Sequence, residues 1–523
     1  MSFSAKVFFL IVLSFLLLKS INIAPKISDE NIYFYMASLL ANGQFPYRDF
    51  FFAHLPGQLL ILAIPIKLFG FNLFTLKLVP ILASAGTAIL LYLKTKNIFP
   101  SVFYLFSLSV LATSDHGSGV HEATFFLVLS WYLIENTKLK YSAILAGLAL
   151  FVGMTVRFYI LPAALGFAAY HVWQSLKNKN SSPISRISRF ALAPARRALT
   201  SPVCFLLFTF TLFAATNLIF LQLFGDHFFT PVWKYHLLKS EGIDKGAIIA
   251  FFLKNDWILL VLASVGIITL LINKLQIQNY KSQINPNKSS SKSKTVSSFG
   301  NLNLKNYLEL EILNLNFVYS ALYTLLFQSF FFIFFADIYF LYLVTLIPFL
   351  AILAAQGVAF INQKLYPNIP YAPYFPYFLL TIFFLLNFLN YQTNHAAASV
   401  ITSMDKIVED IKATTNSQDK IFGSFSVAPL AALKANRGLT DNQVDTNIKR
   451  YLAGFLSTEE TTKLATESTV FIQTGVIDQQ GKALNLDPAF VKQEVIQNSC
   501  KVLRVYSIPK DYANNAIILW KCK

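Results

Sequence analysis

Residues able to do chemistry gather in three short stretches of an otherwise apolar chain. The first holds Ser28-Asp29-Glu30, then Tyr47-Arg48-Asp49 and His54 just before Leu55-Pro56-Gly57. The second reads Ser114-Asp115-His116-Gly117-Ser118-Gly119-Val120-His121-Glu122, and the third ends Gly153-Met154-Thr155-Val156 with the cation Arg157. Carboxylates such as Asp29, Glu30, Asp115 and Glu122 can take the proton of an attacking hydroxyl. The planar guanidinium of Arg48 or Arg157 suits a phosphate oxygen. His116 and His121, with two acids beside them, offer donors for a divalent cation, although their spacing matches no fixed zinc pattern. Each group also has a plainer reading. Arg48 and Asp49 can pair with each other, the 114–122 stretch can be a loop tip kept wet by Gly and Ser, and Arg157 can snorkel to lipid headgroups. A charge inside apolar surroundings is costly, which singles out Arg157.

The elements that must position these groups are membrane helices. The chain has 523 residues, 55% of them apolar or aromatic and 13% charged, with a mean hydropathy of +0.53. Soluble proteins carry about 25% charged residues, so a string of soluble domains is excluded. A span needs roughly 20 predominantly apolar residues, and the sequence predicts eleven: 7–23, 74–93, 99–114, 122–137, 141–156, 158–176, 202–223, 247–272, 310–335, 338–360 and 374–393. The run 56–69 is too short to cross and is expected to lie along the surface. The first run resembles a signal peptide without a clean cleavage site, and reads as the first span. Three cysteines exclude a disulfide-built scaffold and a Cys-rich zinc module.

A formal net charge of +17 ordinarily suggests an acidic partner. Here it has a topological location. The loop 177–201 carries Lys177, Lys179, Arg186, Arg189, Arg196 and Arg197, and the Ser/Asn/Lys-rich linker 273–308 carries Lys274, Lys281, Lys288, Lys292, Lys294 and Lys305, neither with an acid. Lys6, Lys94, Lys96, Lys138, Lys140 and Lys364 fall on the same side if the spans alternate. Basic loops stay in the cytoplasm. The N-terminus is therefore expected inside, with the loops 24–73 and 112–122 and the C-terminal residues outside, and no nucleic-acid partner is expected.

Residues 1–393 read as the membrane domain and 394–523 as a small extracytoplasmic α/β domain. Its signals are an amphipathic pattern over 395–413, a short strand near 420–425, a Ser457-x-x-Glu460 capping box and β-like runs at 469–473, 501–507 and 515–520. Cys500 and Cys522 flank two of those runs, which would fold back near residue 511 and place the two opposite one another. The overall expectation is a membrane all-α protein with about eleven transmembrane helices and a C-terminal extracytoplasmic α/β domain.

The acidic pair after the first span, the Tyr-Arg-Asp and His-x-Pro before an interfacial helix, and a Gly-rich fifth span ending in a cation resemble the polytopic C-type (GT-C) glycosyltransferases. The bacterial members similar to protein O-mannosyltransferases and aminoarabinose lipid A transferases match best. The resemblance covers the layout of essentially the whole chain and implies a polyprenyl-phosphate-linked sugar as donor, membrane lipids around the protein, and an extracytoplasmic protein, lipid or glycan as acceptor. It implies Asp29 as the catalytic carboxylate and Glu122 as an acid lining the substrate pocket, with Asp115 able to do that job from the other end. Glu30 would support, since its helical neighbour points about 100° away. Arg157 and Arg48 would contact the donor's phosphate, and Asp49, His54 and Tyr339 are carried with them as substrate-binding candidates. Where family members carry an Arg or His with a Tyr, this chain has Asp337 and Tyr339 without a cation. Lys234, His236 and Lys239 are further candidates for phosphate. No cofactor is required by this reading, although a divalent cation has possible ligands. A transporter would place ionisable residues inside several spans and show repeated halves, and a polysaccharide polymerase would carry a large loop between late spans. Neither pattern is present.

Overall fold

The computed structural model describes residues 3–135, 141–179, 202–238, 244–283, 304–335, 338–365, 374–477, 483–486, 490–511 and 514–522. Asp337, Lys138, Lys140, Lys239 and most of the two basic linkers lie outside the described residues.

Helix α1 (Phe3–Ile21) precedes a long segment that contains α2 (Glu30–Ala41) and α3 (Gly57–Phe69). Then follow α4 (Leu73–Thr95), α5 (Ile98–Leu105), α6 (Leu108–Thr113), α7 (Val120–Ile134) and α8 (Ser142–Val156). Among the described residues six helices have the length and apolarity to cross a membrane: Ser4–Ile21, Leu73–Thr95, Pro202–Phe224, Asn316–Phe334, Phe340–Asn362 and Phe375–Asn394. They make this a multi-pass membrane protein, with α3, α7 and α8 as shorter apolar helices among them. Helix α3 buries Leu59, Leu62 and Ile66 while Leu60, Ile64 and Leu68 stay exposed, so it carries apolar residues on both faces. That is the pattern of a helix packed on protein on one side and facing acyl chains on the other.

Two runs expected as single spans are broken. The run 99–114 divides at Phe106 and Ser107, where the Ser107 side chain accepts from the Val110 amide and starts α6. The run 247–272 bends by 83° between Lys245–Asn255 and Trp257–Ile272. Both breaks have one cause. Asp256, buried at the bend, accepts from the amides of Leu108 at 2.9 Å and Ser109 at 3.3 Å and from the Ser109 hydroxyl, so its carboxylate satisfies the open start of α6. Elsewhere small residues bring helices together. A Cβ on Gly266 would lie 2.0 Å from the Leu353 carbonyl oxygen, which puts the helices Trp257–Gln283 and Ile347–Leu365 in backbone contact.

The C-terminal residues form a six-stranded sheet in the order β2-β1-β3-β6-β5, from β1 (Lys420–Gly423), β2 (Gly438–Leu439), β3 (Val470–Ile477), β5 (Lys501–Asp511) and β6 (Asn514–Lys521), with β4 (Ala483–Leu486) on the end of β3. β1 is parallel to β2 and β3, whereas β6 is antiparallel to β3 and β5. The helix Thr458–Glu467 opens with Ser457 Oγ accepting from the Glu460 amide at 3.1 Å. The amphipathic pattern becomes a helix only from Met404 to Thr414, which buries Met404, Ile407, Val408 and Ile411. Cys500 and Cys522 are bonded to each other across the end of the β5–β6 pair. The sheet has one core of its own, from Phe422, Leu464, Phe471, Phe490, Ile518 and Trp520, and shares a second with the rest of the chain. Ile32, Phe34, Tyr35 and Met36 of α2 share one apolar cluster with Met404, Ile407, Ile421 and Leu430.

Candidate active site

Asp29 occupies the N-cap position of α2, where an aspartate usually accepts from the helix's own amides. Its side chain makes no such bond. Instead Oδ1 lies 3.1 Å from His116 Nε2, and the Ser28 hydroxyl sits 2.6 Å from the same nitrogen. The backbone around Asp29 is fixed from the sheet domain, because the Ser426 carbonyl accepts from the Ser28 amide at 3.3 Å and from Asn31 Nδ2 at 2.5 Å. Asp29 remains 37% exposed. Partial burial raises its carboxyl pKa, but the hydrogen bond and charge of His116, with the charge of Arg157, outweigh that and hold it below the ordinary value. Burial alone would lower the imidazole pKa of His116, and Asp29 overturns that effect and raises it.

His116 reaches Asp29 because its loop is tightly held. The Glu30 carboxylate accepts from the Gly117 amide at 2.9 Å, and Gln58 Nε2 donates to the Gly117 carbonyl at 2.7 Å. Gly119 has a φ of +85°, and a Cβ there would lie 2.1 Å from Gln58 Oε1, so no other residue fits the turn unstrained. Below the loop lies a buried charge network. Asp115 receives Lys19 at 2.7 Å and Lys26 at 2.8 Å, with Lys77 at 3.7 Å, and Lys77 also meets Glu30 at 2.6 Å. Burial raises the Asp115 pKa, but the three ammonium groups hold it well below the usual carboxylate range.

Arg157, 5% exposed, sits where the chain turns extended after α8. Its Nη2 donates to the Ser118 carbonyl, and the guanidinium lies over the Tyr33 ring at 4.9 Å. Its Nε is buried without a hydrogen-bond partner among the described residues.

Asp29, Tyr33, His54, Ser118 and Arg157 line one cavity, together with Tyr235, His236, Tyr339, Tyr342, Asp445, Asn447 and Lys449. An acid able to accept a proton and a guanidinium able to hold an anion thus face the same space. A π-turn over Thr230–Lys234 precedes Tyr235 and His236, and His236 Nε2 bonds the Ala53 carbonyl at 2.6 Å. Tyr339 and Tyr342 of the lining have ring centres 5.9 Å apart, and the Tyr159 ring packs 4.3 Å from Tyr342.

Several sequence candidates lie elsewhere. Glu30 and Asp115 are held by the lysines below the loop and do not line the cavity. Glu122 is buried in the first turn of α7, again outside the lining. Arg48, 58% exposed, forms a two-pronged pair with Asp49, at 3.0 Å through Nε and 2.8 Å through Nη2. That pair also stays outside the cavity, as the simpler reading of the sequence has it. The metal reading of the second loop does not fit. His121 is buried with Nδ1 bonded to Ser84 at 2.9 Å and Nε2 to Thr113 at 3.0 Å, so neither ring nitrogen is open to an ion beside His116. Among the described residues no group of three His, Cys, Asp or Glu could hold a metal. Asp445, Asn447 and Lys449 carry no local sequence signal. They reach the cavity only because the sheet domain packs over it.

A body of apolar helices, a long first loop that places an acid at the start of a short helix, and a sheet domain closing over that loop make up the fold that carries this cavity. Among solved structures the chain is similar to ArnT from Cupriavidus metallidurans bound to undecaprenyl phosphate, with a TM-score of 0.54 and 12% identity over 99% of this chain and 98% of that one. Its apo state matches over the same shares at a TM-score of 0.49 and 12% identity. ArnT is an aminoarabinose lipid A transferase and a C-type glycosyltransferase. At this identity the likeness is one of fold. No protein-family model matches the sequence, and no curated protein matches it.

Proposed function

We propose that this protein is a membrane glycosyltransferase that moves a sugar from a polyprenyl phosphate to an acceptor hydroxyl on the outer face. The observation that carries the reading is the presence of Asp29 and Arg157 in the lining of one cavity. The described structural neighbour was crystallised with undecaprenyl phosphate, which supports a donor of that class here. A lipid-linked donor also accounts for an apolar many-helix body, since its tail stays in the bilayer while its head reaches the acid.

In the proposed step the acceptor oxygen attacks the anomeric carbon and gives its proton to the Asp29 carboxylate. The bond from that carbon to the phosphate oxygen breaks with inversion, and its electron pair leaves with the polyprenyl phosphate. His116 keeps Asp29 ionised and aimed, and Arg157 offers its guanidinium to the phosphate. The Lys/Arg-rich loops support an N-terminus in the cytoplasm and the sheet domain outside. The acceptor is a protein, lipid or glycan hydroxyl. No metal is assigned to the step, so EDTA is expected to leave the rate unchanged. Loss of transfer that Mg²⁺ or Mn²⁺ restores would overturn that assignment.

The test is transfer from radiolabelled polyprenyl-phosphate sugars by the purified protein in nanodiscs. Asp29→Asn is expected to lower the rate by about 10²–10⁴-fold, the scale of a lost general base. Equal rates would remove Asp29 from the mechanism, and consumption of none of these donors by the wild type would sink the reading.

A further inference from the structure

The sheet domain brings a neutral amide to the cavity. Asn447 is half-buried in the lining, and its Oδ1 accepts from the Lys449 amide at 3.0 Å. That bond fixes which way the carboxamide faces, because the reverse orientation would set an N–H against an N–H. The bond to the backbone uses only the oxygen, and a serine or aspartate supplies one as well. The other half, Nδ2, makes no hydrogen bond to any described residue and is not sealed from solvent. The segment around it is braced. Asp445 Oδ1 accepts from the Asn447 amide at 3.0 Å, and Arg450 donates to the Asp445 carbonyl at 2.6 Å and stacks on Phe51 of the long first loop at 4.0 Å. The carboxamide is therefore oriented before any ligand enters, so little ordering is left to oppose binding.

Resting on the glycosyltransferase reading, we propose that Asn447 is a specificity residue that donates from Nδ2 to a hydroxyl oxygen of the sugar being transferred. The order of groups in the donor leads to this assignment. The polyprenyl tail stays with the apolar helices, and the phosphate that follows it meets Arg157 at the end of α8. The sugar lies beyond the phosphate and is the part of the donor that reaches the sheet domain. A hydroxyl oxygen accepts such a bond while still donating its own proton. The bond joins two neutral groups, so it does not depend on how the charges of the lining are balanced. A site built to bond a hydroxyl discriminates against the analogue that lacks it, since the amide then loses its partner.

The experiment measures transfer by the full-length protein in nanodiscs from polyprenyl-phosphate hexoses and aminoarabinose and from their monodeoxy analogues, with undecaprenyl phosphate as inhibitor. Asn447→Ser keeps an oxygen for the Lys449 amide and removes the N–H. Its kcat/KM for the best donor is expected to fall about three- to tenfold, the scale of one neutral hydrogen bond, with acceptor KM and inhibition by undecaprenyl phosphate unchanged. In the wild type one monodeoxy donor should lose a similar factor. Asn447→Ser should use that donor as well as its parent, because the same bond can be lost only once. This comparison is made within one variant, so it holds even if Asn447→Ser melts earlier than the wild type. Ser457→Ala, which removes a helix cap of the same domain outside the lining, should leave the rates unchanged. Losses from the variant and from the analogue that multiply for every hydroxyl would overturn the proposal and leave the glycosyltransferase reading intact. So would an effect confined to acceptor KM, or an equal loss in Ser457→Ala. Weaker inhibition of Asn447→Ser by undecaprenyl phosphate, which carries no sugar, would make Asn447 a phosphate contact and overturn it too. A wild type that uses none of these donors would instead defeat the underlying reading.

Discussion

Asp29 and His116 set each other's protonation, and this gives the site a defined pH window. A carboxyl held low contributes stability above its unfolded value, near 3.9, and loses it as pH falls through the lowered folded value. An imidazole held high contributes below its unfolded value, near 6.5, and loses that as pH rises through the raised folded value. The ion pair is therefore complete between the two, and its imidazolium half fades above the upper one. For catalysis only the Asp29 limb matters directly. In His116→Ala, burial of Asp29 is opposed only by the Arg157 charge and the Ser28 hydroxyl, so the acidic limb of the kcat/KM profile is expected to move to higher pH. A limb that stays in place would show that His116 does not hold Asp29 ionised.

Among the elements, the loop between α6 and α7 is placed by charges that never meet substrate. Lys77 on α4 and Glu30 on α2 are both fully buried and 2.6 Å apart. Removing one partner of such a pair strands the other in low dielectric and costs about 3–5 kcal/mol. Lys77→Met is expected to lower the melting temperature of the detergent-solubilised protein sharply, and Lys77→Met with Glu30→Leu to recover part of that loss. A double variant whose loss equals the sum of the Lys77→Met and Glu30→Leu losses would show that the pair is not coupled. Asp115 connects Lys77 to Lys19 and Lys26, so ion pairs tie the start of α4, the end of α1 and the loop carrying His116 together.

For the whole molecule, the sheet domain and the membrane body share an apolar cluster and meet through polar contacts as well. The Leu439 amide donates to the Tyr35 hydroxyl at 2.7 Å, and Asn442 Nδ2 to Gln44 Oε1 at 2.8 Å. Burial of this kind is worth about 25 cal/mol per Å² of apolar surface, and deleting the domain would return that surface to water. A chain ending before Met404 is therefore expected to aggregate or to lose the order of the 26–35 segment, read as trypsin sensitivity at Lys26. A truncated protein that resists cleavage there would show that the outer loop is held without the domain.

The sequence alone settled what depends on local composition and periodicity. Few charges among many apolar residues require a membrane body, alternating runs mark the strands of the terminal sheet, and Ser457-x-x-Glu460 marks a helix start. Asp29 and Arg157 were visible as ionisable groups beside apolar runs, each readable in isolation. Tertiary packing alone decided which charges were spent on structure. Asp115 and Glu30 look as available as Asp29 until Lys19, 96 positions before Asp115, and Lys77, 47 positions after Glu30, are brought against them. The breaks in two apolar runs depend likewise on Asp256 capping a helix 148 positions earlier. Asn447 was silent for the same reason. Hydropathy is a property of neighbours along the chain, whereas the partner of a buried charge is set by which elements meet in space.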